Sequence, residues 1–243
     1  MQQDIKQTLK TMYENLSKYG IDQPLMPISL LTLSGYFATR KNKLLKLFGT
    51  SAALAEAGIY LRTSLKGKYD IWQDILEHEN LNFSGKALDL GCGRGAVLNE
   101  LAKKMYHPDS VIGIDIFDPK YQSGNNFRNA QQNVIDNKIA DKVTIKSGDI
   151  TELAFDDESF DIITASFVLH NLSEEKQKQA LLEACRVLSH AGKLIIVDLT
   201  RNINLYQQIL MQHDINNLHI REVGADGWWS GPWISSSILI ANK

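Results

Sequence analysis

The sequence predicts an α/β protein with a seven-stranded, mostly parallel sheet, an antiparallel last strand and a preceding helical cap. Three observations carry that expectation. From Lys86 onward, short apolar runs ending at glycine or polar residues alternate with helical stretches. Residues 1–84 show helical spacing and no strand alternation. The last two strand candidates are separated by a loop too short to hold a crossover helix, so they must run antiparallel to one another.

In the cap, Ile5, Leu9, Met12, Tyr13 and Leu16 share one face of a helix that Gly20 can end. Pro24 and Pro27 then break the chain. Leu44, Leu45, Leu47 and Phe48, followed by Leu54, Ala57, Tyr60 and Leu61, mark a second helical region. Ile71, Trp72, Ile75 and Leu76 mark a third. The expected division is a helical extension over 1–68 and a ligand-binding domain over 69–243. Five parallel strands are read in KALDLG, SVIGIDI, KVTIKSGD, FDIITASF and KLIIVDL, with helices over 96–105, 126–136, 173–188 and 203–214. Ser173 suits an N-cap, and Glu174 and Glu175 suit the positive end of the helix dipole. Residues 217–223 and 233–241 close the sheet.

A chain of 243 residues, 44% hydrophobic, can fill one α/β domain with an appendage and is not a disordered polymer. The net charge of −2 gives no global bias toward nucleic acid. Between Arg40 and Lys68, however, seven basic residues face only Glu56, so this segment carries +6 and the remainder −8. Such a patch can be a solvated helix face, dock on the chain's own acidic domain, or meet RNA or an anionic membrane surface. Cys92 and Cys185 are too few for a disulfide framework and fit a reducing cytoplasm. The polar N-terminus does not read as a secretory signal. The apolar stretches 28–38 and 52–61 are shorter than the roughly 18–20 residues of a spanning helix, which predicts a soluble protein.

The strongest motif is ALDLGCGRGAVLNEL, residues 87–101: a strand ending at Asp89 and Leu90, then Gly91, Cys92, Gly93 and Gly95 opening a helix. Glycine permits the sharp turn and the close approach of a ligand, and the helix start offers unpaired N–H groups. Asp115 ends the second strand twenty residues after Gly95, where a carboxylate can accept from both hydroxyls of a ribose. Asp149 and the Ile150 backbone end the third, where an acid can accept from an adenine amine and an N–H can donate to a ring nitrogen. Ligands of open α/β sheets bind at this edge. A dinucleotide site would instead space its glycines GxGxxG, one residue longer than here, and seldom carries an acid two residues before the first glycine.

On these residues the stretch 86–200 resembles the class I S-adenosylmethionine-dependent methyltransferase family, whose fold is Rossmann-like. DLGCGRG matches its glycine motif, Asp115 in GIDI its ribose acid and Asp149 in GDI its adenine acid. FDIITASFVLHNL and RVLSHAGKLIIVDL match its fourth- and fifth-strand segments, and the closing strand pair extends the resemblance over roughly residues 70–243. The resemblance implies S-adenosylmethionine as cofactor. Asp89 and the glycine loop would face the methionine portion, Asp115 the ribose and Asp149 the adenine, with Ile116, Ile150, Ser166 and Phe167 also binding the cofactor and the backbone around Ser166–Val168 lining the floor beneath the sulfonium.

Methyl transfer from a sulfonium needs positioning above all, which can supply about 7–11 kcal/mol. If the acceptor must lose a proton, His170, following the fourth strand, is the candidate base; wall-filling or a loop hydrogen bond is its plain alternative. His107 and His190 fall in predicted turns. The six histidines show no metal-ligand spacing. Where amine-methylating relatives carry Asn-Pro-Pro-Tyr, this chain reads Ser166-Phe167-Val168-Leu169, closer to enzymes acting on small lipophilic molecules. Trp228, Trp229 and Trp233 could wall an apolar or cationic acceptor, or seal the sheet against the cap; Tyr69 and Trp72 could fold over the cofactor or pack in the core. A small-molecule methyltransferase is therefore expected. The alternatives are a cofactor-binding regulatory protein without turnover and an RNA methyltransferase steered by residues 40–68.

Overall fold

The computed structural model describes residues 2–213 and 215–243, with side chains from Ile5 onward. Its seven strands lie in the order β3-β2-β1-β4-β5-β7-β6. They are β1 (Ala87–Leu90), β2 (Val111–Asp115), β3 (Val143–Ser147), β4 (Phe160–Ser166), β5 (Leu188–Leu199), β6 (Asn217–Glu222) and β7 (Ser236–Asn242). β1 to β5 pair in parallel, and β7 runs antiparallel to both β5 and β6. The expected sheet is therefore the observed one. β1 is buried along its whole length, as a strand covered on both faces must be, whereas β3 at the edge leaves alternate residues exposed.

Helices cover both faces. On one, Ala180, Leu181 and Ala184 of α7 (Glu174–Val187) and Ile203, Tyr206 and Leu210 of α8 (Thr200–Met211) pack on Leu88, Ile163 and Leu194. On the other, α4 (Lys68–His78), α5 (Ala96–Lys104) and α6 (Phe127–Asp136) bury Trp72, Ile75, Leu98, Leu101 and Val134 against Ile162 and Ile195. Ser173 caps α7 through the Lys176 N–H, as expected.

Four boundaries differ from expectation. Residues 25–38 form a helix of their own, α2 (Leu25–Ala38), because Pro27 sits in its first turn, where a missing N–H costs no intrahelical bond. β5 begins at Leu188, and a register shift accommodates residues 189–192 before Lys193 rejoins β4. β7 starts at Ser236; Trp233 stands off the sheet, 72% exposed. α8 starts at Thr200, directly after β5; Asp214, expected as its end, lies outside the described residues.

The cap comprises α1 (Gln2–Tyr19), α2 and α3 (Lys43–Arg62), the last continuing through a π-helical segment, Thr63–Gly67, into α4. This unbroken 36-residue helix, Lys43–His78, is by length and composition alone long and apolar enough to cross a membrane, a test that the core helix of a soluble protein also passes. Its α4 end packs on the sheet. The apolar stripe of α1 is solvent-facing at Ile5, Leu9, Tyr13 and Leu16.

Candidate active site

The parallel strands diverge between β1 and β4, the switch point of the sheet, and a cavity of about 380 Å³ opens at their carboxyl ends. Asp89, Gly91, Cys92, Gly93, Asp115, Ile116, Asp149, Ile150, Ser166 and Phe167 all line it. Gly95 does not; it takes a left-handed φ of 84° and ends the loop at the start of α5. Gly91 also has a positive φ of 66°, and a Cβ there would lie 2.3 Å from Val168 Cγ2. The turn can close on the β4 tip only with glycine.

Asp115 holds this loop in shape. Gly93 N–H donates to its Oδ2 at 2.8 Å, while Phe117 N–H at 2.5 Å and Asn125 Nδ2 at 3.3 Å donate to Oδ1. Oδ2, with one donor, keeps lone-pair capacity for another. Asp89 is buried at the end of β1. Its Oδ1 accepts from Thr164 Oγ1 at 2.7 Å, and its Oδ2 has no hydrogen-bond partner among the described residues. Burial, reinforced by the nearby Asp115 charge, pushes its carboxyl up to about 7, against the lowering effect of the Thr164 hydrogen bond. Asp149 is half exposed, and the Thr151 N–H and hydroxyl that it accepts from hold its carboxyl below the usual range. Cys92 is buried, and desolvation raises its thiol well above the ordinary value, which suits a packing role.

The cap supplies part of the wall. Asp22, Lys68, Tyr69 and Trp72 line the cavity with Tyr121, Gln122 and Asn125 from the β2–α6 connection. Lys68 Nζ lies 2.6 Å from Asp22 Oδ2, and Trp72 Nε1 donates to Ser166 Oγ at 2.8 Å. The chain before α2 is stitched to the β2–α6 connection: Gln23 N–H donates to the Tyr121 carbonyl and Ser123 N–H to that of Ile21. Nothing in the sequence pattern marked Asp22, Lys68, Gln122 or Asn125, because their positions come from this long-range stitching.

Four residues expected at the acceptor pocket stand elsewhere. The His170 ring turns to buried Asp198, with Nδ1 2.6 Å from Oδ1, and does not line the cavity. Asp198 draws it there together with Tyr206 OH and the Leu199 N–H. Trp228, Trp229 and Trp233 do not line it either. Their loop is held against the cap by an Arg62–Asp226 ion pair and a Thr63 hydroxyl bond to the Trp228 carbonyl. Trp229 reaches the site only through the ring of Phe167, 4.9 Å away between centroids. Tyr69 is in the wall as expected. Among the described residues, no cluster of three or more metal-ligating side chains is found.

The lining carries five carboxylates, Asp22, Asp89, Glu100, Asp115 and Asp149, against two lysines, Lys68 and Lys176. Such a field repels a pyrophosphate and favours a ligand with cationic groups. Two buried acceptors, Asp89 Oδ2 and Asn125 Oδ1, lack donors; leaving a buried acceptor unpaired costs about 1–3 kcal/mol. A ligand bearing an ammonium, ribose hydroxyls and a sulfonium would satisfy both the field and the acceptors. The residues fit S-adenosylmethionine.

Comparison with known proteins agrees. Residues 88–196 match the family described as a methyltransferase domain. A demethylmenaquinone methyltransferase of Lactiplantibacillus plantarum is 35% identical over 119 residues, 49% of this chain and 47% of that one. The ubiquinone/menaquinone biosynthesis C-methyltransferase UbiE of Citrifermentans bemidjiense is 29% identical over 162 residues, 60% of this chain and 66% of that one. The chain thus spans about half to just under two thirds of the length of these relatives. Among solved structures, the [4+2]-cyclase SpnF superposes with a TM-score of 0.59 at 16% identity, over 74% of this chain and 83% of that one. Geranyl diphosphate C-methyltransferase of Streptomyces coelicolor, solved with S-adenosyl-L-homocysteine, gives 0.55 at 11% identity, over 74% and 76%. Residues 88–196 are therefore similar to a methyltransferase domain, in a fold shared with a C-methyltransferase solved with S-adenosyl-L-homocysteine.

Proposed function

We propose that this chain is a cytoplasmic S-adenosylmethionine-dependent methyltransferase whose acceptor is a small, partly apolar molecule of the quinone-ring type. The observation that carries the reading is the cavity at the strand tips, rich in carboxylates and holding two unpaired buried acceptors, which suits a cationic adenosyl ligand and no phosphate. When bound, the cofactor supplies a methyl group on a sulfonium, already activated as a leaving group. Asp89 takes the ammonium of the methionine portion. Asp115 and Asn125 take the ribose hydroxyls, and Asp149 with the Ile150 N–H takes the adenine edge. Ser166 and Phe167 would form the floor under the bound cofactor, and Trp72 fixes Ser166. The remaining wall near the β4 tip is apolar, with Phe167, Val168, Leu172, Tyr69 and Trp72. Such a surface excludes water and orients a ring against the methyl carbon, the positioning that transfer chiefly requires.

His170 acts as a positioning residue, tying the Leu169–Asn171 turn to Asp198. Free Cys92 and Cys185 accord with the cytoplasmic setting. Of the seven cations in the basic segment, Arg62, Lys66 and Lys68 pair with Asp226, Asp70 and Asp22, which leaves the unpaired charge at the α2–α3 turn, away from the cavity lining. The likeness to a cyclase keeps one second reading in view, a protein that holds the cofactor without methyl turnover. Incubation with methyl-labelled S-adenosylmethionine and reduced demethylated naphthoquinones separates the two. Transfer of label to the ring supports the proposal; tight S-adenosylhomocysteine binding with no labelled product, across quinones and a cell extract, refutes it.

A further inference from the structure

The α2–α3 hairpin is built the wrong way round for contact with water. Its interior holds small residues: Ser34, Ala53 and Ala57 are buried, and Gly49 admits the Phe37 ring so closely that a Cβ would lie 2.6 Å from it. Its large apolar side chains point outward. Leu31, Leu33, Leu44, Leu45, Leu47 and Phe48 are each between 43% and 67% exposed. α2 has no acidic or basic side chain. Helix pairs with small residues between them and leucines outside are the arrangement of lipid, where close backbone packing replaces hydrophobic burial.

The charge around this surface has one sign. Arg40, Lys41, Lys43 and Lys46 cluster at the hairpin turn, and no acidic residue occurs from 23 to 55. Lys41, Lys43 and Lys46 are exposed and have no ion pair among the described residues; Arg40 stacks 3.7 Å over the Tyr36 ring. A second copy docking turn to turn through a two-fold axis would bring the same cations together, and one docking antiparallel would offer them no acidic residue from 23 to 55. An anionic headgroup layer would neutralise them. α2, at about 1.5 Å per residue, is some 21 Å long and cannot traverse a hydrocarbon core of about 30 Å. The hairpin must therefore lie along a bilayer, with apolar side chains in the acyl boundary and lysines reaching to the headgroups.

We propose that the α2–α3 hairpin seats this protein peripherally on an anionic phospholipid bilayer. Leu30 of α2 and Tyr60 of α3 pack with Trp229 and Leu199 in an apolar cluster that also touches Phe167 at the cavity. A lipophilic acceptor could thus pass from bilayer to site along one face, a corollary that rests on the proposed function, whereas the docking itself does not.

The test is co-sedimentation of the full chain with vesicles of equal parts phosphatidylcholine and phosphatidylglycerol, and with phosphatidylcholine alone. Binding to the mixed vesicles is expected. It should weaken about 100-fold when Lys41→Gln, Lys43→Gln and Lys46→Gln are combined, at roughly fivefold per cation. It should be lost in Leu44→Glu/Phe48→Glu, with thermal unfolding like wild type showing that both variants are folded. The proposal is overturned by no binding, by equal binding to both vesicle types, or by binding indifferent to these substitutions. A concentration-dependent dimer that Leu44→Glu/Phe48→Glu dissolves, in a protein that ignores vesicles, would also overturn it. Methyl-transfer assays with soluble quinones are independent of every arm.

Discussion

Asp89 makes a prediction with two opposite signs. Its carboxyl, ordinarily near 3.8, is pushed up to about 7 by burial, and one of its oxygens has no donor. The folded state therefore binds a proton more tightly than the unfolded chain, and stability falls as pH rises from 3.8 through 7. At 1.36 kcal/mol per pH unit, holding the ionised form in the ligand-free fold costs on the order of 4 kcal/mol above pH 7. Asp89→Asn keeps the shape, and the Thr164 hydroxyl can serve the new amide. The ligand-free variant should melt higher than wild type at about pH 8, by up to roughly 10 °C, a gain that shrinks toward acid and disappears below the unfolded value. Cofactor affinity should move the other way. An ammonium needs the ionised carboxylate, so wild-type binding of S-adenosylhomocysteine should tighten about tenfold per pH unit up to 7 and then level. Below pH 7, calorimetry in buffers of different ionisation heat should detect release of nearly one proton. The variant should lose this pH dependence and about 10–100-fold in affinity, as for a charged hydrogen bond. Wild-type affinity flat across this range, or an Asn variant that binds as tightly as wild type, would refute the assignment of Asp89 to the ammonium.

Asp115→Ala removes the acceptor of the Gly93 and Phe117 N–H groups, and S-adenosylhomocysteine affinity measured by calorimetry should fall at least about 100-fold. Gly91→Ala places a Cβ 2.3 Å from Val168 at a left-handed φ; urea unfolding should show a loss of about 2–4 kcal/mol, combining backbone strain with overpacking. His170→Ala leaves buried Asp198 short of a donor, for a loss of about 1.5–3 kcal/mol in the same assay. Because the ring stands off the cavity, the pH profile of kcat/KM should keep its shape; disappearance of an acid limb would restore His170 as the base.

The sheet and most of the cavity edge were legible in the sequence because both rest on local chemistry. A strand buried on both faces must be apolar, a turn at positive φ must be glycine, and an acid at a strand tip is placed by its own strand. Asp89, Asp115 and Asp149 needed nothing more. His170 and Trp229 stayed between two readings in the sequence because their orientation is decided by distant partners: Asp198 at the end of β5 captures the imidazole, and Ser236 of β7 takes the Trp229 indole N–H at 2.9 Å. Lys68 looked like one cation in a basic run, yet it is buried and paired with Asp22, forty-six residues away. Pro27 hid α2, since a proline in a first turn reads the same as one that breaks the chain.

The cap and the catalytic edge are joined by a single rigid element, and this explains the π-helical segment within it. From Lys43 to His78 the helix must satisfy three neighbours that do not share one face. α3 packs on α2. Thr63 and Ser64 then bond to the Trp228 carbonyl and to Asp22, and Gly67 lies against the Asp226 backbone so closely that a Cβ would fall 2.1 Å from its carbonyl. α4 buries Ile71, Trp72 and Ile75 on the sheet while Lys68, Tyr69 and Trp72 face the cavity. A uniform α-helix drifts only slowly in phase, whereas a π turn shifts the residues beyond it by about one position. Asn15 of α1 donates to the Leu65 carbonyl at 2.7 Å within that turn, supporting its backbone where regular bonding is interrupted. The hairpin thus cannot tilt without moving Lys68, Tyr69 and Trp72, so any surface that fixes the hairpin also fixes one wall of the cofactor cavity.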